Sequence, residues 1–201
     1  MPDLSLESQL GGVVCGIDEV GRGPLCGPVI AAAVILDPDK LPQRLRDRLD
    51  DSKALSKRLR EELAELVPQT ALIGFGEASV EEIDRINILQ ATMLAMRRAY
   101  DALGRTADHA LVDGNRPPDL PCLVRCVVKG DSLSLSIAAA SVVAKVRRDA
   151  LMTELAMLYP GYGWERNAGY GTAEHLDALK RLGPTPHHRR SFAPVAQYMP
   201  S

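Results

Sequence analysis

The chain has four cysteines but no C-x-x-C pair, so neither a zinc knuckle nor a dithiol redox site is written into it. Cys15, Cys26, Cys122 and Cys126 lie in or beside apolar segments and read as reduced, mostly buried thiols. No segment reaches the ~18 apolar residues of a membrane span, and Met1 to Leu10 lacks the basic and apolar stretches of a secretion signal. A soluble, cytoplasmic protein with loose extreme ends is expected. Runs of like charge and tracts of Gly, Ser or Gln are also missing, which argues against linkers and favours a single domain over 1–201 with its core at about 12–195. The net charge is only −2, so any binding of nucleic acid needs a local basic face rather than a basic surface overall.

What is present is hydrophobic patterning. Val13 to Glu19 and Pro28 to Leu36 read as buried strands, and the glycines and prolines between them predict a hairpin-like pair. Further strands are expected at Ala71 to Ala78, His109 to Asp113 and Cys122 to Val128. Ser56 and the Ser79/Glu82 capping box predict helix starts, the second helix running on one face to Gly104. Ile137 to Val146, apolar nearly all round, predicts a central helix continuing to Leu158, and Thr172 caps a last one.

Asp18, Glu19, Asp113 and Asp131 each stand at a strand end beside glycine-rich sequence. A lone aspartate there is most often a turn residue bonding its own backbone. Together, the four suggest one sheet edge carrying the oxygen ligands that hard divalent ions require. Such ions serve phosphodiester hydrolysis by stabilising both the entering and the leaving oxygen. Neighbours in a strand point to opposite faces, so sharing of a site by Asp18 and Glu19 predicts that the strand ends or bulges between them.

GIDEVGRGPLCGPV (16–29), DSKALS (51–56), VDGN (112–115), KGDSLSLSIAAASVVAKV (129–146), GYGT (169–172) and HRRSF (188–192) follow one another in an order that resembles type 2 ribonuclease H. The resemblance spans nearly the whole chain. It implies an α/β, ribonuclease H-like fold: a five-stranded mixed sheet flanked by helices, with a helical C-terminal segment. It implies further that Asp18, Glu19, Asp113 and Asp131 are catalytic and bind two divalent ions, Mn2+ or Mg2+. Gly21, Arg22 and Gly23 would recognise the ribonucleotide, since glycines let the backbone approach a 2′-hydroxyl. Lys53 would contact a phosphate, and Tyr170 would pack on the neighbouring deoxy sugar. A turn, a solvated lysine and an ordinary aromatic are the plainer readings of these three. Lys145, Arg147, Arg148, His187, His188, Arg189 and Arg190 are candidates for the basic face. Leu133 and Arg147 depart from the family pattern, which usually has a basic or small residue and commonly Thr there.

The implied activity is hydrolysis of the RNA strand of RNA/DNA hybrids and cutting on the 5′ side of single ribonucleotides in duplex DNA, by a monomer, leaving 3′-hydroxyl and 5′-phosphate ends. A DNA nuclease or junction resolvase would share the acidic residues without a 2′-hydroxyl sensor. A catalytically silent hybrid-binding module would tolerate loss of a carboxylate, yet all four are here.

Overall fold

Val14–Val20 (β1) and Val29–Leu36 (β2) are buried almost throughout because helices cover both of their faces. The computed structural model describes residues 1–198. Ala71–Ala78 (β3), His109–Asp113 (β4) and Leu123–Val127 (β5) complete a five-stranded sheet in the order β3-β2-β1-β4-β5. β1, β2 and β3 pair antiparallel, whereas β1, β4 and β5 run parallel. The C-terminal ends of these three parallel strands therefore open on one edge. Ligands of open α/β sheets bind at such an edge.

The helices are Ser5–Leu10 (α1), Gln43–Arg48 (α2), Lys57–Leu66 (α3), Val80–Asp101 (α4), Leu135–Leu158 (α5), Trp164–Asn167 (α6), Ala173–Leu182 (α7) and Ala193–Ala196 (α8). The expected caps form at Ser56, Ser79 with Glu82, and Thr172. α4 buries Ala91, Ala95 and Ala99 against Ile17, Ala31 and Ala33 on one side of the sheet. On the other, α5 and α3 pack against Ala32, Val34 and Leu36. α5 starts so close to β1 that a side chain on Gly16 would lie 2.2 Å from the Ser136 backbone. Only a glycine permits that approach.

Two expectations change. Met1 to Leu10 is not loose, because Glu7 on α1 accepts hydrogen bonds from the Ser134 and Ser136 hydroxyls and the Ser136 amide, tying α1 to the start of α5. The expected continuous helix from Ser79 is interrupted at Asn87, which sits at φ 68° while its side chain caps the Leu89 and Gln90 amides. Asparagine tolerates this left-handed conformation and supplies the cap itself.

Candidate active site

The parallel edge carries the acidic residues. By register Asp18 pairs with Ala32 and lies on the α5 face, while Glu19 pairs with Ala31 and lies on the α4 face. β1 neither ends nor bulges between them, contrary to the sequence expectation, since its ladder with β2 continues to Val20. What ends is the other ladder: β4 stops pairing with β1 at Ile17–Val112. The open corner beyond that pair brings both side chains within electrostatic range of Asp113, the last residue of β4.

Asp113 accepts a 2.7 Å hydrogen bond from the Gly130 amide, which ties β4 to the 3-10 turn Gly130–Ser132 that carries Asp131. Lys129 enters this turn in the left-handed conformation, φ 56°. Asp131 is buried, and burial, with Asp51 and Asp113 nearby, raises its carboxyl to about 6. Burial, then Glu19 and Asp113, hold Asp18 well above the usual carboxylate range. Burial also raises Glu19, against the pull of Arg22, whose guanidinium stands 3.4 Å away. One oxygen of Glu19, Oε2, is buried with no hydrogen-bond partner among the described residues. The edge is thus short of positive charge, and its all-oxygen donor set suits a hard cation. Among the described residues no three His, Cys, Asp or Glu side chains form a ready-made metal cluster.

Sequence reasoning passed over Asp51, although it opens the DSK motif. Its Oδ1 accepts the Lys53 amide at 2.9 Å and lies 3.8 Å from the Lys53 ammonium. Burial alone would lower Lys53, but Asp51, Asp18, Asp131 and Asp113 together raise it. Lys53 is therefore an exposed cation facing this edge, as is Arg22 beside Glu19. The Lys53 loop is held from α5, where Ser141 donates to the Ser52 hydroxyl, and from α3, where Arg60 donates to the Ser52 and Leu55 carbonyls.

Gly21, Arg22 and Gly23 form the start of the β1–β2 connection, with Gly21 at φ +98°. Tyr170 is 43% exposed, so it is no core aromatic. Its ring flanks Gly23, where an added side chain would sit 3.4 Å from Cε1. The N-terminal loop and the C-terminal GYGT motif meet there. The seven candidates for a basic face do not come together as one exposed surface. Arg148, His188 and Arg189 are fully buried, Lys145 is paired with Asp149 at 2.6 Å, and the Arg147 guanidinium lies 4.6 Å over the Phe75 ring. Of these candidates only Arg147 and Arg190 are exposed, and the exposed cations beside the acidic edge are instead Arg22, Lys53 and Lys129. Leu133, the other departure, is half exposed beside the Asp131 turn.

A family model described as Ribonuclease HII matches residues 15–195. A ribonuclease HII of Paramagnetospirillum magneticum is 82% identical over 199 residues, covering 99% of each chain. One of Rhodospirillum rubrum is 66% identical over 199 residues, covering 98% of this chain and 91% of that one. Among solved structures, the ribonuclease H2 from Pyrococcus horikoshii OT3 superposes with a TM-score of 0.76 at 25% identity, over 92% of this chain and 96% of that one. Fold, motif order and near full-length similarity agree: the chain belongs to the ribonuclease HII family and is a hydrolytic endoribonuclease of the ribonuclease H class.

Proposed function

We propose that the enzyme hydrolyses the RNA strand of RNA/DNA hybrids and cuts on the 5′ side of single ribonucleotides in duplex DNA, leaving 3′-hydroxyl and 5′-phosphate ends. The observation that carries this reading is the meeting of two kinds of site at one sheet edge: charge-starved carboxylates, and beside them a glycine loop flanked by an exposed tyrosine. Asp18, Glu19, Asp113 and Asp131 would hold Mn2+ or Mg2+, two ions per site. Bound there, the ions supply the Lewis acidity that activates water and stabilises the leaving oxygen. No side-chain nucleophile is required.

The chain's own groups bind and orient the substrate. Lys53, exposed and facing the carboxylates, is placed to meet a phosphate as a point charge. The amides of Arg22 and Gly23 make no hydrogen bond among the described residues, so they are open to a sugar hydroxyl. Tyr170 offers its ring to the adjoining deoxy sugar. A DNA nuclease would have no use for this second element, which is why the ribonucleotide reading is preferred over that of a resolvase.

The enzyme acts as a single-domain monomer in the cytoplasm, on hybrid and ribonucleotide-containing duplex substrates. No helix of the described residues is long and apolar enough to cross a membrane. The direct test is a duplex with one ribonucleotide, incubated with Mn2+, Mg2+ or chelator, followed by analysis of the ends. Metal-dependent cutting 5′ of the ribonucleotide is expected. Metal-independent cleavage, or equal cutting of all-DNA duplex, would overturn the proposal.

A further inference from the structure

Two arginines lie where an arginine is costly. Arg148 on α5 and Arg189 in the C-terminal segment are both fully buried, yet among the described residues every hydrogen bond they make goes to a backbone carbonyl. Arg189 donates to the carbonyls of Gly21, Arg22 and Gly27, at 3.0 Å for Arg22 and 2.8 Å for Gly27. Arg148 donates to Cys26, Pro28 and Ala168 at 3.0, 3.1 and 2.9 Å. Their acceptors trace the β1–β2 connection from Gly21 to Pro28 and reach across to the segment before Tyr170. A buried cation without a carboxylate is destabilising unless its whole fork is satisfied. Here the loop's own carbonyls satisfy it.

The backbone around Arg189 extends the same clamp. Its amide donates to the Leu25 carbonyl at 2.9 Å, Gly27 donates to the His187 carbonyl at 2.9 Å, and Leu25 donates to the Gly169 carbonyl at 2.8 Å. Residues 25–27 are therefore held between the Tyr170 loop on one side and the HRR segment on the other. Next to Arg189, His188 accepts the Thr185 amide on Nδ1 at 2.9 Å, which leaves its proton on Nε2, 3.1 Å from His175 Nε2. His175 Nε2 also accepts the Trp164 indole at 3.0 Å, so Nδ1 carries the proton donated to the Tyr170 carbonyl at 2.9 Å. Consecutive residues of one segment thus grip the two elements that face each other across Gly23.

We propose that Arg189, assisted by Arg148, is a positioning residue for ribonucleotide recognition. By holding the carbonyls of Gly21 and Arg22 inward, it leaves the amides of Arg22 and Gly23 free for the substrate and sets their spacing from Tyr170. This rests on the reading of the Gly21 to Gly23 loop given above. Arg189 touches neither the carboxylates nor the substrate. Its loss is expected to change which sugar is preferred without changing metal binding or affinity for plain duplex.

The test compares wild type, Arg189→Met and Arg189→Lys. Fluorescence anisotropy in Ca2+ gives Kd for a duplex with one ribonucleotide and for the same duplex in DNA alone, and Mn2+ titrations of cleavage give the metal midpoint. Arg189→Met should lose about tenfold or more of the ribonucleotide preference, with the all-DNA Kd and the Mn2+ midpoint unchanged. Arg189→Lys, which keeps the charge but not the planar fork, should fall between. Added ethylguanidinium should restore part of the preference to Arg189→Met. Folded variants that keep the wild-type preference, or lose affinity equally for both duplexes, would overturn the inference. So would a pair of variants that both fail to fold, since Arg189 would then serve the whole fold. If wild type itself shows no ribonucleotide preference, it is the underlying functional reading that fails.

Discussion

The carboxylate edge and the recognition clamp lie side by side and are built on opposite electrostatic terms. At the edge, acidic groups are buried faster than they are paired: Asp18, Glu19 and Asp131 are all raised, and Glu19 Oε2 has no partner among the described residues. In the clamp, buried Arg148, Arg189, His175 and His188 have their polar atoms engaged by loop carbonyls and by one another. The first region carries acidic charge that is not neutralised, and the second has its polar atoms already engaged. A site that must gain a ligand benefits from unsatisfied charge. One that must present a fixed shape benefits from having none left over.

The largest break in this contrast should come from Asp131→Asn, which keeps the shape and removes a charge. We expect activity to fall about a thousandfold, as for loss of several kcal/mol of transition-state stabilisation, with the fold retained. Near-normal turnover at saturating Mn2+ would shift the role elsewhere, for instance to Asp149. The metal-free protein should at the same time melt about 3 °C higher, since a destabilising charge has gone. Differential scanning calorimetry with and without Mn2+ checks both halves.

The next effect separates the two regions by substrate. Tyr170→Ala should lower kcat/KM on a single embedded ribonucleotide roughly tenfold and on a long hybrid less, because many registers are available there. Tyr170→Phe should be milder, since packing uses the ring. Equal loss on both substrates would make Tyr170 a structural residue.

Acid should act on the two regions with opposite sign. Asp131, raised to about 6, contributes stability below its unfolded value near 3.8 and loses that contribution as pH rises through about 6. His188, which burial pushes down to about 4, contributes stability above its unfolded value near 6.5 and loses it as pH falls towards 4. In the double variant Asp18→Asn/Asp131→Asn, metal-free melting temperature should therefore drop more steeply between pH 6.5 and 4 than in wild type. Parallel curves would deny the contrast. The smallest effect is expected of Arg147→Thr, which gives up the stacking on Phe75, worth about 0.5–1 kcal/mol, and changes activity less than twofold. Thermal melts and initial rates on a hybrid measure it.

Much of this was legible in the chain itself. β3 and β4 have the bounds expected from apolar runs between turn residues, and the Ser56, Ser79 and Thr172 caps were readable because capping is local. Asn87 was missed, since one residue in the left-handed conformation leaves the hydrophobic periodicity around it intact. Arg148 and Arg189 read as surface charges in the sequence, which shows a guanidinium but not the carbonyls that surround it.

By itself, then, the sequence determined the order of the strands and of the longer helices, the family, and four of the acidic residues, all of which depend on local patterning and motif order. Tertiary structure alone decided that β1, β4 and β5 end on one edge, that Asp18 and Glu19 reach Asp113 through the early end of the β1–β4 ladder, and that Asp51 joins them. It also decided that Gly23 meets Tyr170 from the far end of the chain, locked by Arg189. Those relations arise from strand direction, pairing length and burial, which link residues far apart in sequence and leave no periodic trace in the chain.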